Sequence, residues 1–529
     1  MLNSDCLYAD LALPEELRRR DRVAREEFGI PAAVLMENAA RAALEEIHLR
    51  LAPPFRTLVF MGKGNNGGDG AALARTLAGR GEEVLVAAPT DLSGLPDPAD
   101  AHTAAALKTG VRFLIGEGGV PPQLPQDWLC PDLVVDAVSG SGLQGELRAR
   151  ELAYVRAINS FREKSFVVAL DIPSGLCGYT GRAMPEAVRA RLTVAFEAAA
   201  LGLRLSGGAE YAGEIVVRDI GIPVAARSPA PACRLLAPRR GAHFLPDREL
   251  HKGRAGKVLV IGGSAAMSGA PCLAAAAALR AGAGLAHLAL PGGVRARLGS
   301  VFPELMVHGV GRGDSFEAED AAALLELSRA LAPDALVLGP GAGRASRAVF
   351  AALLGENPRP PAVVDADALD FPFPDRSGIR QTDVLTPHPG EAARLLPDGW
   401  FAGRGELSWR EKARLVQEDR TGALAALADL YPACVVLKGA RTLIRQGKGP
   451  LTVSPFAVPT LAVGGSGDVL AGAVGALLAS GLPASDAAAL GVYLHGRAGE
   501  LLEDKAPCGH TAGEIAAALP SARKELCQV

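Results

Sequence analysis

The chain has 529 residues, 49% of them hydrophobic and 21% charged, with a formal net charge of -3. That length exceeds one ordinary hydrophobic core, so at least two domains are expected, and the near-balanced charge gives no electrostatic reason to expect nucleic acid or an anionic membrane as partner. The eight cysteines stand singly, without C-x-x-C or zinc-ligand spacing, which argues against a disulfide scaffold and fits a reducing cytoplasm.

From the N-terminus, "MLNSDCLYADLALPEELRRRDR" lacks a basic start followed by an apolar core, so no secretory signal is expected. Strands are then expected at "RTLVFMG", "EVLVAAP", "DLVVDAV", "SFVVALDIPSG", "LTVAFEA" and "EIVVRDIG", with alanine-rich helices between most of them. In "GIPVAARSPAPACRLLAPRRGAHFLP" proline and arginine crowd together and periodicity is lost, so a linker is placed at 225–239. A second series follows at "KVLVIGG", "LAHLALP", "DALVLGPGAG", "PAVVDADAL", "ACVVLKGA" and "RTLIRQG". The run "CLAAAAALRAGAGLAHLALP" is interrupted by Arg280 and glycines, and reads as a buried helix followed by a strand rather than a membrane span. Short apolar runs alternating with helices are the pattern of parallel sheets, so two different α/β domains are expected, at 1–224 and 240–529.

The first chemical signal is "GKGNNGGDG", a glycine-rich loop between a strand and a helix, suited to an anion at the helix's positive end. It is neither a dinucleotide fingerprint nor a Walker loop. Strand ends further on supply Asp136, the loop at 140–146, Asp171 and Ser174. The carboxyl ends of parallel strands share one crevice, so these loops can converge. The Asn66 amide, the Asp136 carboxylate and the Ser174 hydroxyl offer hard oxygen, suited to an alkali or alkaline-earth cation, leaving Asp171 to handle protons. The alternative is that each aspartate caps its own turn.

The second signal is "VGGSGDVLAG" at 463–472. Backbone N–H groups around Gly465, Ser466 and Gly467 can form an anion hole, while Asp468 stands at its rim, kept ionised by the helix dipole, and draws a proton from an attacking hydroxyl. The alternative is a helix cap with packing glycines. "VVDADAL" is open between a magnesium site at Asp365 and Asp367 and a simple cap, and His388 in "TPHPGE" between a site residue and a rigid turn.

The set "LMENAA", "GKGNNGGDG", "VVDAVSGSGL" and "ALDIPSGL" resembles the NAD(P)HX epimerase domain, also called the YjeF N-terminal domain, over roughly residues 10–222. The resemblance implies a Rossmann-like three-layer fold. It also implies substrate contacts at Asn65, Asn66, Gly67, Gly68 and Asp69, at Gly140, Ser141, Gly142, Leu143, Gln144, Gly145 and Glu146, and at Asp171, with potassium (K+) held by Asn66, Asp136 and Ser174. Asp171 is the expected acid/base; Lys63 is a second candidate.

The G-S-G-D turn resembles the ribokinase-like fold. With "VLGPGAG", "VVDADAL", "LTPHPGEAARLL" and "VVLKGART" it resembles the ADP- or ATP-dependent NAD(P)HX dehydratase, the YjeF C-terminal domain, over roughly 240–520. The resemblance implies ADP contacts at Lys438, Gly439, Ala440, Arg441, Thr442 and Gly467. Substrate contacts are implied at Ala270, Gly341, Gly343, His388 and Asp468, the last as catalytic base. Ser466 stands where many relatives carry threonine. Mg2+ with ADP, the small-molecule partners NADHX and NADPHX, and assembly as a homo-oligomer are expected; a ribokinase-like vitamin-precursor kinase with an accessory nucleotide-binding domain is the alternative.

Overall fold

The structure is a computed structural model; it describes residues 7–527 apart from 89–91, 118–119, 144, 228–230, 239–248, 250, 300–302 and 371–377. It separates into two compact units, Asp10–Cys233 and Arg234–Val529, the latter joined by the residues up to Ala9. Within the stretch read as a linker, Cys233–Leu236 forms a strand with both ends buried; two apolar end positions were enough to set it against the neighbouring proline and arginine.

The N-terminal unit is built on a seven-stranded sheet. Its strands are β1 (Arg56–Met61), β2 (Glu83–Ala88), β3 (Arg112–Ile115), β4 (Leu133–Ala137), β5 (Phe166–Leu170), β6 (Leu192–Phe196) and β7 (Glu214–Arg218), in the order β3-β2-β1-β4-β5-β6-β7. Every pairing is parallel. The central strands are apolar on both faces because helices cover both sides, which is why they read as unbroken apolar runs. β3 is the edge strand; its mixed, half-exposed RFLI carries no such run, and sequence reading missed it.

In the C-terminal unit the strands are β8 (Lys257–Ile261), β9 (Leu285–Pro291), β10 (Met306–Val310), β11 (Ala335–Leu338), β12 (Ala362–Val364), β13 (Val384–Leu385), β14 (Cys434–Leu437), β15 (Leu443–Gln446) and β16 (Leu451–Val453). They are ordered β10-β9-β8-β11-β12-β13-β14-β15-β16. Pairings are parallel through β14, and then β15 and β16 turn back antiparallel. The expectation of parallel strands fails at "RTLIRQG" because its connections are too short for a crossover and permit only hairpins. β13 has two residues and β10 lies at an edge, so neither carries a run long enough to be read.

Helix α1 (Asn65–Ala78) follows β1, α2 (Gly269–Ala281) follows β8, and α5 (Ser466–Ala479), apolar almost all round, is buried nearly throughout. Between the last two in sequence lie α3 (Pro389–Leu395) and α4 (Arg420–Leu430); α6 (Ala484–Glu503) follows α5. α5 meets α2 at Gly472, where a Cβ would lie 2.0 Å from the carbonyl oxygen of Ala274. Two backbones this close leave no room for a methyl group, so Gly472→Ala should destabilise the C-terminal unit by about 1–3 kcal/mol, read as an earlier thermal unfolding transition.

Candidate active sites

In the N-terminal unit the carboxyl ends of β1, β4, β5 and β6 open onto a cleft of about 710 Å³. Among its lining residues are Lys63, Asn65, Asn66, Asp69, Gly140, Ser141, Gly142, Leu143, Glu146 and Asp171. Helix α1 starts earlier than expected, at Asn65, so the asparagines and most of the glycines lie in its first turns rather than in a loop. Its N-cap, Gly64, provides no side-chain cap, leaving first-turn N–H groups for an anion. Gly67 and Gly68 are packed inward: a Cβ on Gly67 would sit 2.0 Å from the carbonyl oxygen of Gly62, and one on Gly68 2.7 Å from the Met36 side chain. They and Gly145 are not among the residues lining the cleft; Gly67 lets α1 close on the turn after β1 and Gly68 makes room for Met36, while Gln144 lies outside the described residues.

Asp136 ends β4, wholly buried, and its carboxylate accepts from Ser174 N at 2.7 Å and Ser174 Oγ at 2.6 Å. Burial raises its pKa to about 6 although the Ser174 bonds act against it. Asn66 is buried too, and neither atom of its amide has a hydrogen-bond partner. The Asn66 amide oxygen, the Asp136 carboxylate and the Ser174 hydroxyl are each hard-oxygen groups of the kind a monovalent cation takes, and of the three the Asn66 amide is unsatisfied.

Asp171 follows β5 with φ 64°, a left-handed conformation that costs a non-glycine residue energy and marks functional positions. Its Oδ2 accepts from Ser141 N at 2.6 Å, and Gly140 must lack a Cβ, which would come within 2.7 Å of that oxygen. The carboxylate thus pins the 140–146 loop at the cleft. Burial raises the Asp171 pKa. Asp69 is pushed well above the usual carboxylate range, by burial first and then by the charges of Asp171 and Asp21. Sequence reading missed Glu197, which follows β6 with φ 68°, is buried, lines the same cleft and pairs with Arg227 at 2.8 Å. Its signal was present: like Asp136 and Asp171, it is an acid at the carboxyl end of a strand.

In the C-terminal unit a cleft of about 600 Å³ is lined by His388, Lys438, Gly439, Ala440, Thr442, Ser466 and Gly467, with an apolar wall that includes Phe456, Leu461 and Val492. Gly465 caps α5 in a left-handed conformation, φ 91°, without a side-chain cap, and the Ser466 N–H is taken by the Val463 carbonyl at 3.2 Å, so one of the three N–H groups expected at the anion hole already has a partner. Ser466 is buried and its Oγ lies 3.0 Å from His495 Nε2. Lys438 Nζ sits 3.4 Å from the place a Gly467 Cβ would take. It is bonded to Asp365 Oδ1 at 2.6 Å and lies 3.6 Å from Glu391 Oε2. Burial lowers the Lys438 pKa, but Asp365 and Glu391 outweigh it and the ammonium stays charged.

Asp468 lies in the first turn of α5. Its pKa is raised to about 7, by burial first, then by Asp365, with Lys438 acting the other way. The helix dipole therefore does not keep it fully ionised: desolvation and neighbouring carboxylates win, and the group is poised at neutrality, where a general base works best. Asp365 is taken up by Lys438 and by Thr386 Oγ1 at 2.8 Å, and Asp367 Oδ2 accepts from Gly343 N at 2.8 Å. Both aspartates of "VVDADAL" are thus engaged by internal bonds. His388 is the N-cap of α3, its Nδ1 accepting from Gly390 N at 3.0 Å, and burial lowers its pKa to about 4, so it is a neutral cap that also faces the cleft. Ala270 and Gly341 meet beside Met267 on α2's approach, while the Arg441 side chain turns aside to the Pro455 carbonyl at 3.0 Å; none of the three lines the nucleotide-side cleft.

Fold and geometry define a two-site α/β enzyme, one unit Rossmann-like and the other ribokinase-like, each with an acid beside an uncapped helix start. A family model described as "NAD(P)H-hydrate dehydratase" matches residues 258–521, and one described as "YjeF-related protein N-terminus" matches 32–202. A bifunctional NAD(P)H-hydrate repair enzyme of Moorella thermoacetica is 38% identical over 98% of this chain and 97% of its own length. One of Methanothermobacter thermautotrophicus is 36% identical over 94% and 92%. The solved ADP/ATP-dependent NAD(P)H-hydrate dehydratase of Bacillus subtilis, co-crystallised with ATP and Mg2+, is 28% identical, with TM-score 0.43, over 53% of this chain and 94% of that one. The chain belongs to the family of bifunctional NAD(P)H-hydrate repair enzymes.

The raised carboxyl pKa of Asp468 has a consequence for stability. A group that holds its proton more tightly when folded loses its favourable contribution as pH rises from its unfolded value, 3.8, through its folded value, about 7. Without ligand, the C-terminal unfolding transition should fall between about pH 5 and about pH 8, and Asp468→Asn should lessen that fall, as measured by thermal denaturation at both pH values.

Proposed function

We propose that the N-terminal unit interconverts the R and S epimers of hydrated NADH and NADPH, and that the C-terminal unit dehydrates the S epimer to NAD(P)H at the expense of ADP, giving AMP and phosphate. The observation that carries the second half is Asp468, poised near neutrality at the start of α5, one residue beyond Gly467 and opposite the half-buried Lys438. The substrate hydroxyl gives its proton to Asp468 and its oxygen attacks the terminal phosphoryl group of ADP. Charge developing on that group is met by the first-turn N–H groups of α5 and by Lys438. AMP leaves; the ring nitrogen then expels the phosphate, the carbon–oxygen bond breaking with the oxygen departing on phosphorus, and the resulting iminium loses a proton from the adjacent ring carbon to restore the dihydropyridine of NAD(P)H. ADP is held along Lys438, Gly439, Ala440 and Thr442, with its base against the apolar wall, and Mg2+ accompanies its phosphates. His388, Ala270, Gly341 and Gly343 face the hydrated ring.

In the N-terminal unit Asp171 handles the proton at the epimerising centre, and the start of α1 takes the phosphates. Asn66, Asp136 and Ser174 would hold K+, whose positive charge would offset the buried Asp136 carboxylate. The unpartnered Asn66 amide supports that assignment. The enzyme works in the cytoplasm, assembled from like chains. Among the described residues no helix is long and apolar enough to cross a membrane.

Purified protein given both hydrate epimers, ADP, Mg2+ and K+ should convert both to NADH. Asp468→Asn should abolish ADP-dependent recovery of NADH absorbance while epimers still interconvert, and Asp171→Asn should do the reverse. Loss of both activities in either folded variant would contradict the division of labour. For the wild type, dehydration should slow as pH falls through about 7, where Asp468 takes up a proton.

A further inference from the structure

Arg420 opens helix α4 and is buried, with 8% of its surface exposed. Its guanidinium does not face the cleft. Nη1 donates to the carbonyl oxygen of Ala440 at 2.6 Å and Nη2 to that of Leu437 at 3.1 Å. These two carbonyls bracket Lys438 and Gly439, the segment that lines the nucleotide cleft between β14 and β15. Gly439 has φ 145°, and a Cβ there would come within 3.0 Å of Nη2. Arg441, two residues on, is left-handed as well, with φ 54°, its N–H bonded to the Phe456 carbonyl at 2.7 Å. A segment with two left-handed residues does not hold that path by backbone preference alone.

The arrangement sorts the segment's charges. The negative ends of its peptides at 437 and 440 turn inward to a fixed cation. The Lys438 ammonium and the open side of Gly439 are left facing the phosphate site. Without the guanidinium, the segment loses the two charged bonds that fix its ends, at the buried Leu437 carbonyl and the part-buried Ala440 carbonyl, and is released from its cleft-lining path. A planar fork reaches both carbonyls at once; a lysine reaches one.

We propose that Arg420 is a positioning residue for the nucleotide: it touches no ligand, and it sets the 438–442 segment so that ADP meets an ammonium rather than carbonyl oxygens. The proposal rests on the ADP-dependent dehydration assigned to this unit. It leads to a specific kinetic split. In Arg420→Lys the KM for ADP should rise about tenfold, the size expected for one lost charged hydrogen bond, and further in Arg420→Ala. The KM for the hydrate should stay within about twofold, because the hydrate meets other residues.

An arginine that merely ties α4 to the sheet would lower the melting temperature and leave the KM for ADP of the folded protein unchanged; that result in Arg420→Lys would overturn the proposal. Gly439→Ala attacks the same contact from the segment's side and should also raise the KM for ADP. The double variant Arg420→Lys/Gly439→Ala should then fall short of the sum of the single effects, while additivity would overturn the coupling. Should Arg420→Ala fail to fold, Arg420→Lys and Gly439→Ala decide the matter. Calorimetric titration of the full chain with ADP alone separates the two levels. A wild type that binds no ADP contradicts the assigned function, whereas a wild type and Arg420→Lys that bind ADP equally well contradict the role of Arg420.

Discussion

The C-terminal site depends on one ammonium, that of Lys438, set among carboxylates. Lys438 is held to Asp365 at 2.6 Å and stands near Glu391 and Asp468, so a single cation faces a group of carboxylates. Because Asp365 takes the ammonium directly, Asp468 receives only part of its field and settles near neutrality. That division gives one acid the task of holding the cation and another the task of moving a proton. The position of Lys438 beneath the Gly467 turn then allows the same charge to serve the phosphoryl group, and everything that fixes the 438–442 segment becomes part of the site.

The N-terminal unit reaches a related solution without a lysine in that place. Asp136 and Asp171 end adjacent strands, and both have raised pKa values because burial outweighs their hydrogen bonds to Ser174 and Ser141. One is locked to Ser174 in the interior; the other is held in a left-handed conformation at the cleft. In both units the parallel sheet provides the constraint that matters, since it delivers the carboxyl ends of several strands to one edge where helix starts offer unpaired N–H groups.

Central strands and glycine-rich turns were legible because their signals are local: β1, β4, β8 and β11 are short runs of apolar residues between polar boundaries. Edge and two-residue strands such as β3 and β13 were not, because nothing in four or two residues outweighs their surroundings. The purpose of individual glycines was hidden for a different reason. Gly67 and Gly472 answer to backbone atoms elsewhere, Gly62 and Ala274, which no local pattern names. The same holds for Asp468, whose ionisation is set by burial first and then by Asp365, far away in the chain, and for Arg420, whose partners are the carbonyls of Leu437 and Ala440. Residue types at strand ends could be read; the charges and carbonyls they would meet could not.

The claim at the centre is that the substrate's hydroxyl oxygen, freed of its proton by Asp468, becomes bonded to phosphorus before it leaves carbon. Hydrate prepared with oxygen-18 in that hydroxyl, turned over once with unlabelled ADP, tests this directly by mass spectrometry of the released phosphate. One labelled oxygen per phosphate follows from attack on the phosphoryl group. Unlabelled phosphate, with the heavy atom recovered in water, would mean that water leaves directly and that the base at the start of α5 has been given the wrong task.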